Sequence, residues 1–361
     1  MNMNKRETLK ESSTMHINLL SNLKTSDISQ YRQTLMGVAI VGVLFSHWFG
    51  FQSINSGVPF VLSTIVVRLV FTEGFLFLSG FGLYYSFSRN NDSLSFYKRR
   101  LIRLYIPFLL LSFPLYSFFL ITREGYGIMD YLTQLTTAYF WFHGNYGGMW
   151  YVSLSIMLYL LFPLLFYFLF SKSSTKSVYL RFILCLGLFY LIVVPLKSLN
   201  YDYYSLIKIG IEKIPFFIVG ILLAFVVKNE LLTHITYRLC FFLMGGAYLF
   251  FTIINHYLPG YWIQHFAGFF QKLFFMPLLC LLFNSVVKFN LGQCLISILN
   301  WFGKYSLELY ILHLHFYMFF RYSFFNTLLS PMLEASIAIV LAIILCQPVN
   351  RMISQITKKR N

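Results

Sequence analysis

The feature that most restricts what this chain can fold into is a succession of apolar segments, each about as long as a bilayer is thick. A helix rising 1.5 Å per residue needs about 20 apolar residues to cross the hydrocarbon core. Such segments occur near 35–54, 60–88, 104–122, 149–171, 178–196, 211–228, 237–255, 267–287, 305–322 and 331–350. The expected fold is therefore all-α: a polytopic integral membrane helical bundle with about ten transmembrane helices. Composition agrees, since 58% of the 361 residues are hydrophobic and only 11% are charged. A soluble globule of this size could not bury so much apolar surface; a bilayer solvates it instead. The segment 60–88 is long and broken by Arg68 and Glu73, which reads as a re-entrant piece followed by a helix. The aromatic stretch 128–146 is expected in the interface.

Charge orients the bundle. The net charge of +16 would point to nucleic acid in a soluble protein, but here the basic residues fall between apolar runs. With the N-terminus inside and the spans alternating, 21 of the 28 Lys and Arg lie on the inner side. An odd number of spans would put the basic C-terminal tail outside, so both termini are expected to be cytoplasmic. This topology divides the chain into a cytoplasmic N-terminal tail (1–31), a transmembrane domain (32–350) and a cytoplasmic C-terminal tail (351–361). Residues 1–31 hold no apolar core of the signal-peptide kind, and Met15 is a second candidate start. The five cysteines form no CxxC pair, so neither a metal nor a disulfide framework is expected. No P-loop, nucleophile elbow or HExxH motif is present.

Four constellations could carry chemistry. His47 lies about 20 Å along the first span, where an ionisable residue is expensive and its natural role is general base. Its bland alternative is a packing hydrogen bond to a neighbouring helix. Glu73 begins an apolar run and needs a partner, for which His47 and Arg68 are candidates; it could equally be a helix-entry carboxylate. Lys98, Arg99, Arg100 and Arg103 precede the third span, with Arg100 and Arg103 three residues apart on one face. At a helix N-terminus they would suit a phosphate, or they could simply anchor the loop inside. In GKYSLELYILHLHFY, Glu308, Tyr310, His313 and His315 either line a polar cavity or sit at the interface. His313 and His315 are two residues apart and cannot chelate one metal from the same helix face.

Together these segments resemble the acyltransferase family 3 membrane proteins, the acyltransferase-3 O-acetyltransferases, over about residues 31–350. LMGVAIVGVLFSH is similar to the family's first-helix pattern ending in its essential histidine, here His47. EGFLFLSGFGL resembles its acidic-x-F-F-x-x-S-G-F segment, with Glu73 in the acidic place and Ser79, Gly80 and Phe81 matching. RRLIRLYIPF resembles its R-x-x-R-x-x-P signature through Arg100 and Arg103, with Tyr105 beside it. MWYVSLSIMLYLLFPLL, IPFFIVGILLA and GKYSLELYILHLH resemble later segments, bringing in Trp150, Pro215, Gly220, Ser306, Tyr310 and His313. One departure is at Met36, where the family often carries Arg or Lys eleven residues before the histidine; Arg32, one turn earlier, could reach the same place.

The resemblance implies a membrane-embedded O-acyltransferase of a bacterial plasma membrane. It would move an acyl group, of acetyl type, from cytoplasmic acetyl-CoA or another acyl-CoA to hydroxyls of a cell-surface or lipid-linked glycan. His47 and Glu73 would be catalytic. Arg99, Arg100, Arg103 and Arg32 would hold the donor's phosphates, and Ser79, Trp150, Tyr310 and His313 would line the substrate cavity. A transporter or flippase for a glycan or its lipid-linked precursor is the main alternative, with His and Glu as a proton relay. It is weakened by the lack of an internal repeat. A glycan polymerase or ligase would need a larger polar outer loop than any seen here.

Overall fold

The computed structural model describes residues 22–52, 72–145, 149–171, 174–236 and 290–358, with scattered positions between 238 and 287. Two compact units divide the chain. One comprises 1–31 and 232–295, and the other 32–231 and 296–361.

In the first unit, strands β1 (Asn22–Lys24) and β2 (His234–Thr236) pair antiparallel with Leu23 opposite Ile235. The short helix α1 (Asp27–Gln30) follows. Asn284 Nδ2 donates to Asp27 Oδ2 at 2.6 Å, and Tyr31 Oη donates to Asn284 Oδ1 at 2.7 Å. This small ladder is an addition to the all-helical expectation.

The second unit carries the candidate site. Its helices are α2 (Arg32–Gln52), α3 (Thr72–Arg89), α4 (Ser93–Arg100), α5 (Ile106–Thr122), α6 (Ile128–Leu135), α7 (Tyr139–His143) and α8 (Trp150–Phe170). They continue with α9 (Thr175–Leu199), α10 (Tyr201–Ile211), α11 (Ile214–Lys228), the end of α12 (Asn290–Lys304), α13 (Ser306–Arg321) and α14 (Pro331–Lys358). A π-helical segment, Leu101–Tyr105, fuses α4 to α5 into one rod.

Among the described residues, five helices are long and apolar enough to cross a membrane: Ser93–Thr122, Trp150–Phe170, Thr175–Leu199, Tyr201–Lys228 and Pro331–Ile356. The expected spans near 35–54 and 305–322 correspond to α2 and α13, which fall outside these five. The expected spans 237–255 and 267–287 are described only at scattered positions, and the first part of 60–88 with Arg68 lies outside the described residues. The stretch 128–146 contains the two short helices α6 and α7. Helix α9 is apolar nearly throughout yet buries only Val178 and Phe182, leaving Ile183, Leu191 and Ile192 each more than 60% exposed. That surface is suited to lipid.

Because most helices are apolar on every side, small residues decide where they meet. A methyl group at Gly80 of α3 would collide with the Phe217 carbonyl of α11, and one at Gly220 of α11 would collide with the Phe77 carbonyl of α3. Each glycine therefore admits the other helix's backbone. Gly37 of α2 meets the Leu299 carbonyl, and Gly303 meets that of Gln33, in the same way. Thr34 Oγ1 then donates to Asn300 Oδ1 at 2.7 Å. Below the α3–α11 contact, Phe87, Phe96, Phe162 and Phe166 pack mainly edge to face, with Phe87 and Phe166 centroids 4.9 Å apart. Asp92 caps α4 by accepting from the backbone N–H groups of Leu94 and Ser95, and the Ser95 hydrogen bonds hold its exposed carboxyl below the usual range.

Gly80→Leu and Gly220→Leu should each lower stability by about 1–3 kcal/mol or more, since neither backbone can retreat. Thermal unfolding in detergent checks this. Gly187→Ala in α9, where nothing lies within 4 Å, is the control expected to match the parent.

Candidate functional site

His47 of α2 and His313 of α13 meet inside the bundle. His47 Nδ1 lies 2.8 Å from His313 Nε2, and the rings are within 28° of parallel with centroids 5.1 Å apart. The other nitrogen of His313, Nδ1, is 2.7 Å from the Leu309 carbonyl. A carbonyl only accepts, so Nδ1 of His313 carries the proton. In a neutral ring Nε2 is then the acceptor, and the proton between the rings belongs to His47 Nδ1. This assignment puts the lone pair of His47 on Nε2, the state a general base requires. His315 is arranged differently. Its Nδ1 faces the Ile311 carbonyl at 2.7 Å, and its Nε2 faces Ser112 Oγ at 2.9 Å. Both of its nitrogens tie α13 to itself and to α5, which is a packing role.

A second group lies toward the other end of α2. The Arg32 guanidinium rests over Gly82, where a Cβ would come within 2.8 Å of it, and its Nε donates to the Leu78 carbonyl at 3.3 Å. Arg32, Arg100 and Arg103 are near enough to repel one another, and the Tyr159 hydroxyl lies among Arg32 and Arg100. Arg100 donates to Ser86 Oγ at 2.8 Å and lies over the Phe96 ring, while its buried Nε has no partner. Arg99 and Arg103 are exposed. Three cations held together with an unused buried N–H concentrate positive charge, which by charge and geometry suits a polyanion.

The source of this positive charge differs from the sequence-based expectation. Arg100 and Arg103 do not stand at a helix N-terminus, because the helix begins at Ser93, seven residues before the first and ten before the second. Their backbone N–H groups belong to the rod. The guanidinium groups, displayed beside the π-helical segment, carry the positive charge; such irregular turns recur at functional sites.

A line of side chains runs between the two groups. Tyr159 Oη is 3.3 Å from Ser79 Oγ. Tyr151 lies two turns away on α8, its ring 5.5 Å from that of Tyr310, which is 6.0 Å from His313. Glu308 is buried at the arginine end, where Asn350 Nδ2 donates to it at 2.5 Å and Arg103 exerts an attractive field. Arg32, Arg100, Arg103, Ser79, Tyr310, His313 and His47 are thus joined into one polar seam.

Glu73 and Trp150 belong to a different corner. Lys213 Nζ is 2.7 Å from Glu73 Oε1, and the ammonium sits 5.7 Å from the Trp150 ring. Lys213 thus supplies a counter-charge to Glu73; Arg68, one of the partners expected for it, lies outside the described residues. Lys213, Tyr151 and Tyr159 were not singled out from the sequence. Only the tyrosines left a signal: Tyr151, Ser155 and Tyr159 repeat every four residues as a polar stripe in an otherwise apolar run. Among the described residues, no three His, Cys, Asp or Glu side chains converge as metal ligands.

Lys213→Ala removes the ammonium facing a buried carboxylate and should cost about 3 kcal/mol or more. The double variant Lys213→Met with Glu73→Gln should recover most of that loss. Thermal unfolding of both variants in detergent is the measurement.

Comparison with known proteins adds one match. A family model described as an acyltransferase domain matches residues 34–351. No curated protein matches the chain, nor does any solved structure. The matched stretch runs from the first turn of α2 to the last part of α14 and takes in His47, His313, Arg100 and Arg103, with Arg32 two residues before its start. The chain belongs to the acyltransferase 3 family and is an acyltransferase built on membrane helices.

Proposed function

We propose that this acyltransferase moves an acetyl or similar acyl group from cytoplasmic acyl-CoA onto hydroxyls of a cell-surface or lipid-linked glycan. The observation that carries this reading is the polar seam, with a cationic end at Arg32, Arg100 and Arg103 and a basic end at His47–His313. The first suits the phosphates of coenzyme A and the second suits activation of an alcohol. Most of the chain's Lys and Arg fall in segments that the positive-inside pattern puts with the arginine end, which supports donor entry from the cytoplasm.

The two ends are separated by fifteen residues of α2, about 22 Å along the helix axis. The long, flexible pantetheine arm bridges this distance, carrying the thioester to the histidines along Tyr159, Tyr151 and Tyr310. His47 Nε2 takes the proton from the acceptor hydroxyl as its oxygen attacks the thioester carbonyl. The C–S bond breaks, an O-ester forms, and the departing sulfur takes the proton that His47 received, so coenzyme A leaves as its thiol. His313 holds His47 in the required tautomer through its bond to the Leu309 carbonyl. Glu73, with Lys213, flanks the acceptor side.

His47→Ala should abolish acyl transfer while the protein remains inserted; parental acylation by this variant would overturn the base assignment. His313→Ala should lower kcat by about 100-fold, the low end for acid–base catalysis. Arg100→Ala with Arg103→Ala should raise the acetyl-CoA concentration for half-maximal rate by about tenfold or more, with little change for the acceptor. Proton NMR of surface polysaccharide from intact, deleted and His47→Ala strains tests the whole reading. O-acyl signals lost in both altered strains, with the polymer present, support it. A polymer missing or trapped inside the cell would replace it with transport.

A further inference from the structure

Glu334 is the strongest unexplained feature of the bundle. It lies in the first turn of α14 and is fully buried, yet neither carboxyl oxygen has a hydrogen-bond partner. A buried carboxyl with both oxygens unused is costly, because the lost hydration is not replaced. The helix N-terminus offsets part of that cost but fills neither oxygen's lone pairs. Arg321 and Tyr317 exert fields on the carboxyl from α13, but the Arg321 guanidinium donates to Asn326 Oδ1 at 3.0 Å.

Its placement relates it to the histidines. Tyr317 is one helical turn beyond His313 on the same face of α13. Two residues after Glu334, Ser336 Oγ accepts from the indole N–H of Trp48 at 2.9 Å, and Trp48 adjoins His47. The carboxyl thus lies beyond the histidine pair, toward the end of α13 opposite Glu308 and the arginines. Two more buried groups without hydrogen-bond partners, the hydroxyls of Tyr116 and Tyr126, interact with each other where α5 ends; the Tyr116 ring is 5.8 Å from His315.

The geometry points to Glu334 as the acceptor-binding group, whose two oxygens receive hydrogen bonds from two adjacent hydroxyls of a sugar ring and so present a hydroxyl to His47. A carboxyl group spans neighbouring hydroxyls as a two-point acceptor, which selects a polyhydroxylated acceptor over a simple alcohol. This inference rests on the acyl-CoA-to-glycan reading above and adds to it which residue grips the acceptor and by what pattern.

The test uses membrane vesicles carrying the full chain, acetyl-CoA, and unacylated surface polysaccharide purified from a strain deleted for the chain. Rates of thiol release and of acetyl incorporation are measured for the parent, Glu334→Gln and Glu334→Ala, with the amount of protein in the membrane recorded. The expected result is a rise of roughly tenfold in the polysaccharide concentration giving half-maximal rate, with that for acetyl-CoA unchanged within about twofold. Parental polysaccharide dependence in both variants overturns the inference. So does an equal change in donor and acceptor dependence, or loss of the protein from the membrane in both variants, since either marks a structural role. A parent that releases no thiol from acetyl-CoA overturns the donor reading itself and this inference with it, an outcome distinct from the others.

Discussion

Backbone-to-backbone approach between apolar helices is the condition on which everything else in the site-bearing unit depends. Where lipid is as apolar as leucine, burying leucine against another helix brings little advantage, and contact is won by close packing. Gly80 and Gly220 let α3 and α11 touch, and Gly37 and Gly303 do the same for α2 and the end of α12. Once the helices are this close, polar side chains on them reach one another without water. Gly82 shows the link most directly: its missing side chain is the space the Arg32 guanidinium occupies.

Close packing also sorts the polar residues by role. His315 and His313 sit two apart on α13 and share the same backbone hydrogen bond to the carbonyl four residues earlier. They differ only in what faces Nε2. For His315 it is Ser112, a hydroxyl that completes a packing contact; for His313 it is another imidazole, which transmits tautomer control to His47. Nothing in the two residues themselves makes this distinction. It comes from which neighbouring helix lies over each.

The same holds at the cationic end. Arg100 and Arg103 were legible as a pair because their spacing puts them on one side of a helix. The rod that carries them, running from Ser93 through the π-helical segment, was not, since the apolar run begins only after the charges. Hydropathy reports where lipid contact starts and is silent on where a helix starts. The positive character of this end therefore rests on side-chain charge rather than on exposed backbone N–H groups.

The sequence by itself determined that the chain is a helical membrane protein, that His47, Glu73, Arg100 and Arg103 are its exceptional residues, and that their order resembles one acyltransferase family. These follow from local quantities: segment length, hydropathy, and the high cost of charge in an apolar run. Only the tertiary structure decided the pairings. Lys213 faces Glu73, His313 faces His47, Arg32 joins Arg100 and Arg103, and Glu334 is left with two unused oxygens. The partners stand 140 residues apart for Glu73 and 266 for His47, so no local rule reaches them. In helices apolar on every side there is also no amphipathic stripe to say which face turns inward. That choice belongs to glycine contacts between helices distant in sequence.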